Sequence, residues 1–279
     1  MKLCIDAGGT YFRYSIENRT RQMASGSDQH NGKGFIAWIE GLLEKYPEIK
    51  TILIAFAGQV KDGVILNAPN LEVEQMHIKD YFTQKYSVEF FIQNDLSCAV
   101  LAEANYFKTK EICALYVGSG LGLGVITNGS LLVGYNAQAA EIGHIPYKKA
   151  PFMCGCGKNN CIELFGAGAG LRKFKNYLQL DLVLTTQELR DSKDEKEQGL
   201  YKEFEEALFH AIGIVITLFN PEVLVLGGGI IQNDATLFER ILTHYQEFTM
   251  PQSTQGLKIV KTELENAVLR GASILKESL

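Results

Sequence analysis

Apolar runs alternate with polar or glycine-rich breaks along the whole chain, and their spacing switches between the strand and helix periods. In residues 1–27, LCID, YFRYSIE and RQMASGS read as three strands, broken by AGGT and the polar ENRT. Phe35, Trp38, Ile39, Leu42 and Leu43 recur at helical spacing and stop before Pro47, which predicts a helix over 34–46. TILIAFAG reads as a buried strand, GQVKDGVILN as a hairpin turning at Asp62-Gly63, and EFFIQND as a strand ending in polar residues. An Ala- and Leu-rich helix follows over 97–107. ICALYVGSGLGLGVITNGSLLVG reads as two strands and a hairpin with Asn128-Gly129 as its turn. Further on, 170–190 is mostly helical, 191–199 a charged, solvated patch, and 204–220 a long apolar helix. EVLVLGGGI is strand plus glycine turn, 236–248 helix, LKIVKT strand, and 264–279 a terminal helix. Strands and helices alternating without long linkers make the class α/β.

Composition narrows this further. The 279 residues suggest two domains at about 150 residues each. A net charge of −5 speaks against a nucleic-acid surface, which needs a basic face. The start MKLCIDAGGT lacks the apolar core of a signal peptide, and the most apolar stretch, 211–219, is too short to span a bilayer. The expected location is therefore cytoplasmic, where cysteines stay reduced. Cys4, Cys98 and Cys113 sit singly in apolar segments and read as small core residues.

The glycines are clustered. Asp6-Ala-Gly8-Gly9-Thr10, Gly118-Ser119-Gly120-Leu-Gly122 and Gly227-Gly228-Gly229 each follow an apolar strand. Glycine there lets backbone N–H groups approach a ligand, and Thr10 and Ser119 add hydroxyls suited to phosphate oxygens. Asp6 ends its strand, where a carboxylate holds magnesium directly or through water. No Lys-Ser/Thr follows, and a hairpin rather than a helix comes after GSGLGLG, so neither common nucleotide-loop motif applies. LCIDAGGTYFRYSI and ALYVGSGLGLGVIT repeat one strand–turn–strand plan about 110 residues apart, which fits two domains of the same design.

His144, Cys154, Cys156 and Cys161 form the pattern H-x9-C-x-C-x4-C. Four soft nitrogen and sulfur ligands suit tetrahedral zinc, and a site closed by four protein ligands is structural. Glu141 and Glu163 flank the cluster and would be positioned by the metal.

As a set, DAGGT, GQVKDGVILNAPNLE, QNDLSCAVLAE, the EIGH segment, CGCGKNNCIE and NPEVLVLGGGI resemble the ROK family of repressors, open-reading-frame proteins and sugar kinases, within the actin-like superfamily. EIGH with CGCGKNNCIE is the specific part; the glycine clusters alone are not. The resemblance implies a two-domain, actin-like (ribonuclease H-like) sugar kinase fold with a cleft between the lobes. Residues 1–108 with 266–279 would form one lobe and 109–265 the other. It implies an ATP-dependent, glucokinase-like hexose kinase, with N-acetylmannosamine kinase, fructokinase or a non-catalytic sugar-responsive regulator as alternatives.

Asp95 would be the general base for the sugar 6-hydroxyl, although its position equally suits a helix cap. Gly58, Gln59, Asn70, Asn94, Glu141, His144 and Glu163 would meet the sugar, His144 using its second ring nitrogen. The glycine turns would hold Mg-ATP. The implied partners are hexose, ATP and a second copy in a homodimer, with no nucleic acid and no membrane. Because the first phosphate motif begins at Asp6, the family's DNA-binding segment is not expected here. Three positions depart from the family pattern: Tyr11, Ala57 and Asn160.

Overall fold

The computed structural model describes residues 1–18, 21–30, 33–69 and 71–278. Asn70, one of the expected sugar-contacting residues, and Leu279 lie outside the described residues. The chain divides into two units, residues 1–108, 131–139 and 264–279 in the first and 109–130 and 140–263 in the second. Residues 131–139, expected in the second lobe, cluster with the first unit. Lys61 Nζ donates to the Tyr135 carbonyl at 2.8 Å and Gln138 Nε2 to Gln59 Oε1 at 3.0 Å, holding that segment to its hairpin.

In the first unit a five-stranded sheet is built from β1 (Lys2–Ala7), β2 (Tyr11–Glu17), β3 (Gln22–Gln29), β4 (Thr51–Phe56) and β7 (Glu89–Asn94), in the order β3-β2-β1-β4-β7. β5 (Gln59–Lys61) and β6 (Val64–Asn67) form a separate hairpin. It turns where expected, with positive φ at both Asp62 and Gly63. β1 pairs with β2 antiparallel and with β4 parallel, because a tight glycine turn joins the first pair and helix α1 (Phe35–Lys45) intervenes before β4. Phe12, Phe35 and Phe56 fill one face of the sheet, and Phe82 of helix α2 (Ile78–Tyr86) stacks on Phe90 at 5.6 Å. The other face carries α3 (Asp95–Phe107), crossed by α10 (Ala267–Ser273) and followed by α11 (Leu275–Ser278). At the crossing a β-carbon on Gly271 would collide with the Cys98 carbonyl, so glycine sets how closely the two helices pack.

The second unit repeats the plan. Its sheet runs β10-β9-β8-β11-β12, from β8 (Ile112–Val117), β9 (Leu121–Thr127), β10 (Ser130–Leu131), β11 (Val223–Gly227) and β12 (Lys258–Lys261). β8 pairs antiparallel with β9 and parallel with β11, as β1 does with β2 and β4. The echo read in the sequence is therefore one topology used twice. The helices are α4 (Glu163–Gly166), α5 (Gly168–Leu178), α6 (Thr186–Asp191), α7 (Glu195–Phe219), α8 (Gly229–Asn233) and α9 (Ala235–His244). The long apolar helix starts well before residue 204. Asp194 caps it by accepting from Lys196 and Glu197 N–H groups, so residues 195–199 of the charged patch form its first turn and the start of the next. The helix expected over 170–190 breaks at Gln179, which takes φ +59°. That expected over 236–248 ends in a 3-10 turn from Tyr245, and the terminal helix divides at Ile274. Among the described residues no helix is long and apolar enough to cross a membrane.

Candidate active site

The first unit gathers its chemistry at the ends of β1 and β7. Asp6 is the penultimate residue of β1, and the register places Arg13 of β2 opposite it. Arg13 Nη1 donates to Asp6 Oδ2 at 3.0 Å, with the Asp6 side chain only 14% exposed. Burial still raises the Asp6 pKa, and Arg13 opposes the rise. Gly8, Gly9 and Thr10 make the turn between β1 and β2. The Gly8 N–H donates to the Tyr11 carbonyl at 3.2 Å and the Thr10 carbonyl accepts from His30 at 3.3 Å.

Asp95 follows the last residue of β7 and is the first residue of α3. The capping role weighed for Asp95 falls mainly to Asn94, whose Oδ1 accepts from the Leu96 and Ser97 N–H groups. Asn94 Nδ2 donates to the Gly58 carbonyl at 3.1 Å, and the Asn94 side chain also hydrogen-bonds the Asp95 carboxylate. Asp95 Oδ1 accepts from Leu96 N–H at 2.8 Å. Burial, and secondarily the Asp6 carboxylate, raise Asp95 to about 7, against the hydrogen bonds that favour its charged form. A carboxylate near 7 is matched to taking a proton at neutral pH. Gly58 leads into β5; a β-carbon there would collide with the Asn67 carbonyl, so the close approach requires glycine. Gln59 opens β5, its Oε1 accepting from Gln138.

In the second unit the turn between β8 and β9 comprises Gly118, Ser119 and Gly120, closed by the Gly118 N–H donating to the Gly120 carbonyl at 3.0 Å. Gly122, expected in the phosphate-facing turn, is instead a strand residue of β9 paired with Tyr116, because the turn closes before it. Gly227 ends β11 against the Tyr116 ring, Gly228 takes φ +86° beneath Val117, and Gly229 begins α8.

The loop from the 3-10 turn (Ile142–His144) to α4 doubles back on itself. Ile162 N–H donates to the Ile145 carbonyl, Tyr147 to Asn160, Ala150 to Asn159 and Cys154 to Lys158, each within 2.9 Å. This pairing brings sequence-distant His144, Cys154, Cys156 and Cys161 together, with ligand atoms all within 4.8 Å of one another. His144 Nδ1 lies 3.6 Å from Cys154 Sγ, and Cys156 Sγ 3.3 Å from Cys161 Sγ. Tetrahedral zinc with bonds of about 2.3 Å needs donor separations of roughly 3.8 Å, so the set fits in both chemistry and spacing. Burial and the adjacent thiols push Cys161 up to about 12, so a cation is needed to hold it as thiolate. His144 Nε2 faces away from the thiols, 4.0 Å from Glu141 Oε2. Burial raises the Glu141 pKa, and nearby Glu163 adds to the rise against the lowering effect of His144.

Glu163 opens α4 and links the loop to the glycine turn. Its Oε2 accepts from Leu121 N–H at 3.1 Å, and its Oε1 lies 3.6 Å from Cys154 Sγ. A β-carbon on Gly120 would meet that carboxylate. Sequence reading missed this link, as it missed Arg13 beside Asp6. The Arg13 contact was recoverable, since antiparallel pairing about the Gly8–Gly9–Thr10 turn sets residue 6 opposite 13.

The chain matches the ROK family over residues 2–278. It belongs to that family. The glucokinase of Thermotoga maritima is 28% identical over 241 residues, covering 78% of this chain and 76% of its own. The N-acetylglucosamine repressor of Escherichia coli O157:H7 is 26% identical over 280 residues, covering 94% of this chain and 68% of its own. Among solved structures, the ROK hexokinase of Thermus thermophilus superposes with a TM-score of 0.81 at 24% identity, over 98% of this chain and 96% of that one. The fold of this ROK chain is thus the two-domain, actin-like α/β fold of the sugar kinases, and its kinase relatives support a sugar kinase as the class of activity.

Proposed function

We propose that this ROK chain is an ATP-dependent sugar kinase that phosphorylates the 6-hydroxyl of a hexose, with Asp95 as general base. The observation that carries the reading is the Asp95 carboxylate, raised to about 7 at the strand-to-helix corner of the unit that also holds the Asp6–Thr10 turn. Mg-ATP, when bound, supplies the γ-phosphoryl group. The chain's own part is alignment and charge compensation, which dominate phosphoryl transfer. Asp95 takes the hydroxyl proton at its carboxylate. N–H groups of the Gly8–Thr10 and Gly118–Gly120 turns meet phosphate oxygens, and Gly227–Gly229 the rest of the nucleotide. Gly58, Gln59, Asn94, Glu141, His144 and Glu163 are assigned to sugar hydroxyls. Asp6 fits a single-carboxylate magnesium site in donor chemistry, with Arg13 competing for Oδ2. Zinc at His144, Cys154, Cys156 and Cys161 would hold the loop that presents Glu141 and Glu163.

ADP release measured across glucose, fructose, mannose, allose, N-acetylglucosamine and N-acetylmannosamine tests this. One sugar should turn over well above the others, and Asp95→Asn should abolish most of that rate. Wild-type rates in the variant would remove Asp95 as the base. A second reading, a sugar-responsive regulator without turnover, is favoured by the Arg13 hold on Asp6. It requires that a sugar raise the melting temperature while no sugar releases ADP.

A further inference from the structure

Helix α7 contains two glycines, and the structure explains only one from within. At Gly213 a β-carbon would collide with the Phe248 carbonyl, so packing demands glycine. At Gly199 a β-carbon would meet nothing within 4 Å. Glycine inside a helix is unfavourable relative to alanine, and at Gly199 no neighbour among the described residues requires it. What Gly199 does border is a cavity of about 560 Å³, within the size range of small-molecule sites.

The cavity lies wholly in the second unit, between α5, α7 and the start of the cysteine loop. Its walls are aromatic and aliphatic: Phe165, Phe174, Tyr177, Phe204 and Leu200. Its charged lining is asymmetric. Glu203 is held by Lys148 at 3.0 Å, and Lys148 also takes Glu206 at 2.9 Å. The two lining cations, Lys149 and Lys196, have no acidic partner among the described residues. An apolar chamber whose nearby lysines (Lys148, Lys149 and Lys196) outnumber its carboxylates (Glu203 and Glu206) complements a ligand with an apolar body and an anionic head.

We propose that this cavity binds a small anionic amphiphile, an aromatic or acyl body carrying one carboxylate or sulfonate. The body lies over Gly199 against the phenylalanines, and the head meets Lys149 and Lys196. Phe165 and Glu163 stand two residues apart on α4 and so point to opposite faces of it, which sets this site apart from the hydroxyl-reading carboxylate.

The test uses the full chain titrated with 8-anilinonaphthalene-1-sulfonate and read by fluorescence, independently of turnover. One saturable site is expected, displaced by decanoate and not by decyltrimethylammonium. Lys149→Ala with Lys196→Ala should weaken binding by about tenfold, as two exposed charge contacts allow. Gly199→Leu should abolish binding while far-UV circular dichroism stays native, and Gly199→Ala should weaken it while keeping or raising the melting temperature. Non-saturable binding, equal displacement by the cation, or variants that bind like wild type would overturn the proposal. So would binding that is lost as the protein self-associates, which would place a second copy in the cavity.

Discussion

The two glycine turns, Gly8–Thr10 and Gly118–Gly120, sit on the same strand pairing and are anchored by different means. The first is tied by its own hairpin, Asp6 on β1 to Arg13 on β2. The second is tied by Glu163, a residue 42 positions beyond Leu121, whose carboxylate accepts the Leu121 N–H beside the cysteine loop. The first anchor is an ion pair made within a local element. The second reaches across the unit to a loop that gathers four soft ligands. If the proposed zinc is bound, one topology carries a turn that is independent of that zinc and a turn that is not.

The largest expected effect tests the first unit. Asp95→Asn should lower kcat by about 10²–10⁴, the usual range for a lost general base. In the wild type, kcat/KM should rise with pH to a plateau, with its midpoint at about 7. Stability should run the other way. The folded pKa lies above the usual aspartate value of about 3.9, so the native state binds the extra proton between about pH 4 and pH 7, and stability falls as pH rises through that window. Asp95→Asn should therefore melt higher than wild type above pH 7, and the gap should close near pH 4. An equal melting temperature at pH 8 would mean that the carboxylate is not buried at a cost.

Next in size is the anchor beside the proposed zinc site. Cys161→Ser should cost more than about 4 kcal/mol, the range associated with loss of a structural metal. A chelator should lower the wild-type melting temperature and leave the variant's unchanged. Elemental analysis of purified protein should find zinc in the wild type alone. If chelation leaves the wild type unmoved, the contrast between the two turns collapses, because both would then be anchored by protein alone.

The two anchors also differ in how far the sequence revealed them. Hairpin turns at Asp62-Gly63 and Asn128-Gly129 were legible because both positions take positive φ, which those residue pairs favour. The cysteine cluster was legible because ligand chemistry and spacing are local. Helix α2 was not, since Ile78 and Phe82 are its only buried residues and the apolar stripe is thin. The start of α7 was missed because its first turns are charged and solvated, although Asp194 with Glu197 three residues on is a start signal. The Glu163–Leu121 bond joins residues distant in sequence, and no local period encodes such a contact.

Glu163 separates charge from hydrogen bonding at the second turn. Glu163→Ala leaves the Leu121 N–H without its acceptor, which should cost about 1–3 kcal/mol and raise the sugar KM. Glu163→Gln keeps an acceptor and should recover most of the stability and less of the KM. Equal melting temperatures for the two variants would show that the bond to Leu121 does not hold the turn.

The smallest effect belongs to Arg13. Its side chain is 43% exposed, so its ion pair should be worth no more than about 1 kcal/mol, and Arg13→Ala should barely move the melting temperature. Its signature lies elsewhere. Arg13 occupies Asp6 Oδ2, an oxygen a magnesium ion would also seek, so removing it should lower the magnesium concentration needed for half-maximal turnover by up to about fivefold. If the magnesium requirement rises instead, Arg13 is an ally of the ion, holding Asp6 ionised against the burial that raises its pKa. Either result is to be compared with Glu163→Ala under chelator. A first-turn variant that responds to chelator as Glu163→Ala does would show that the two turns share one anchor.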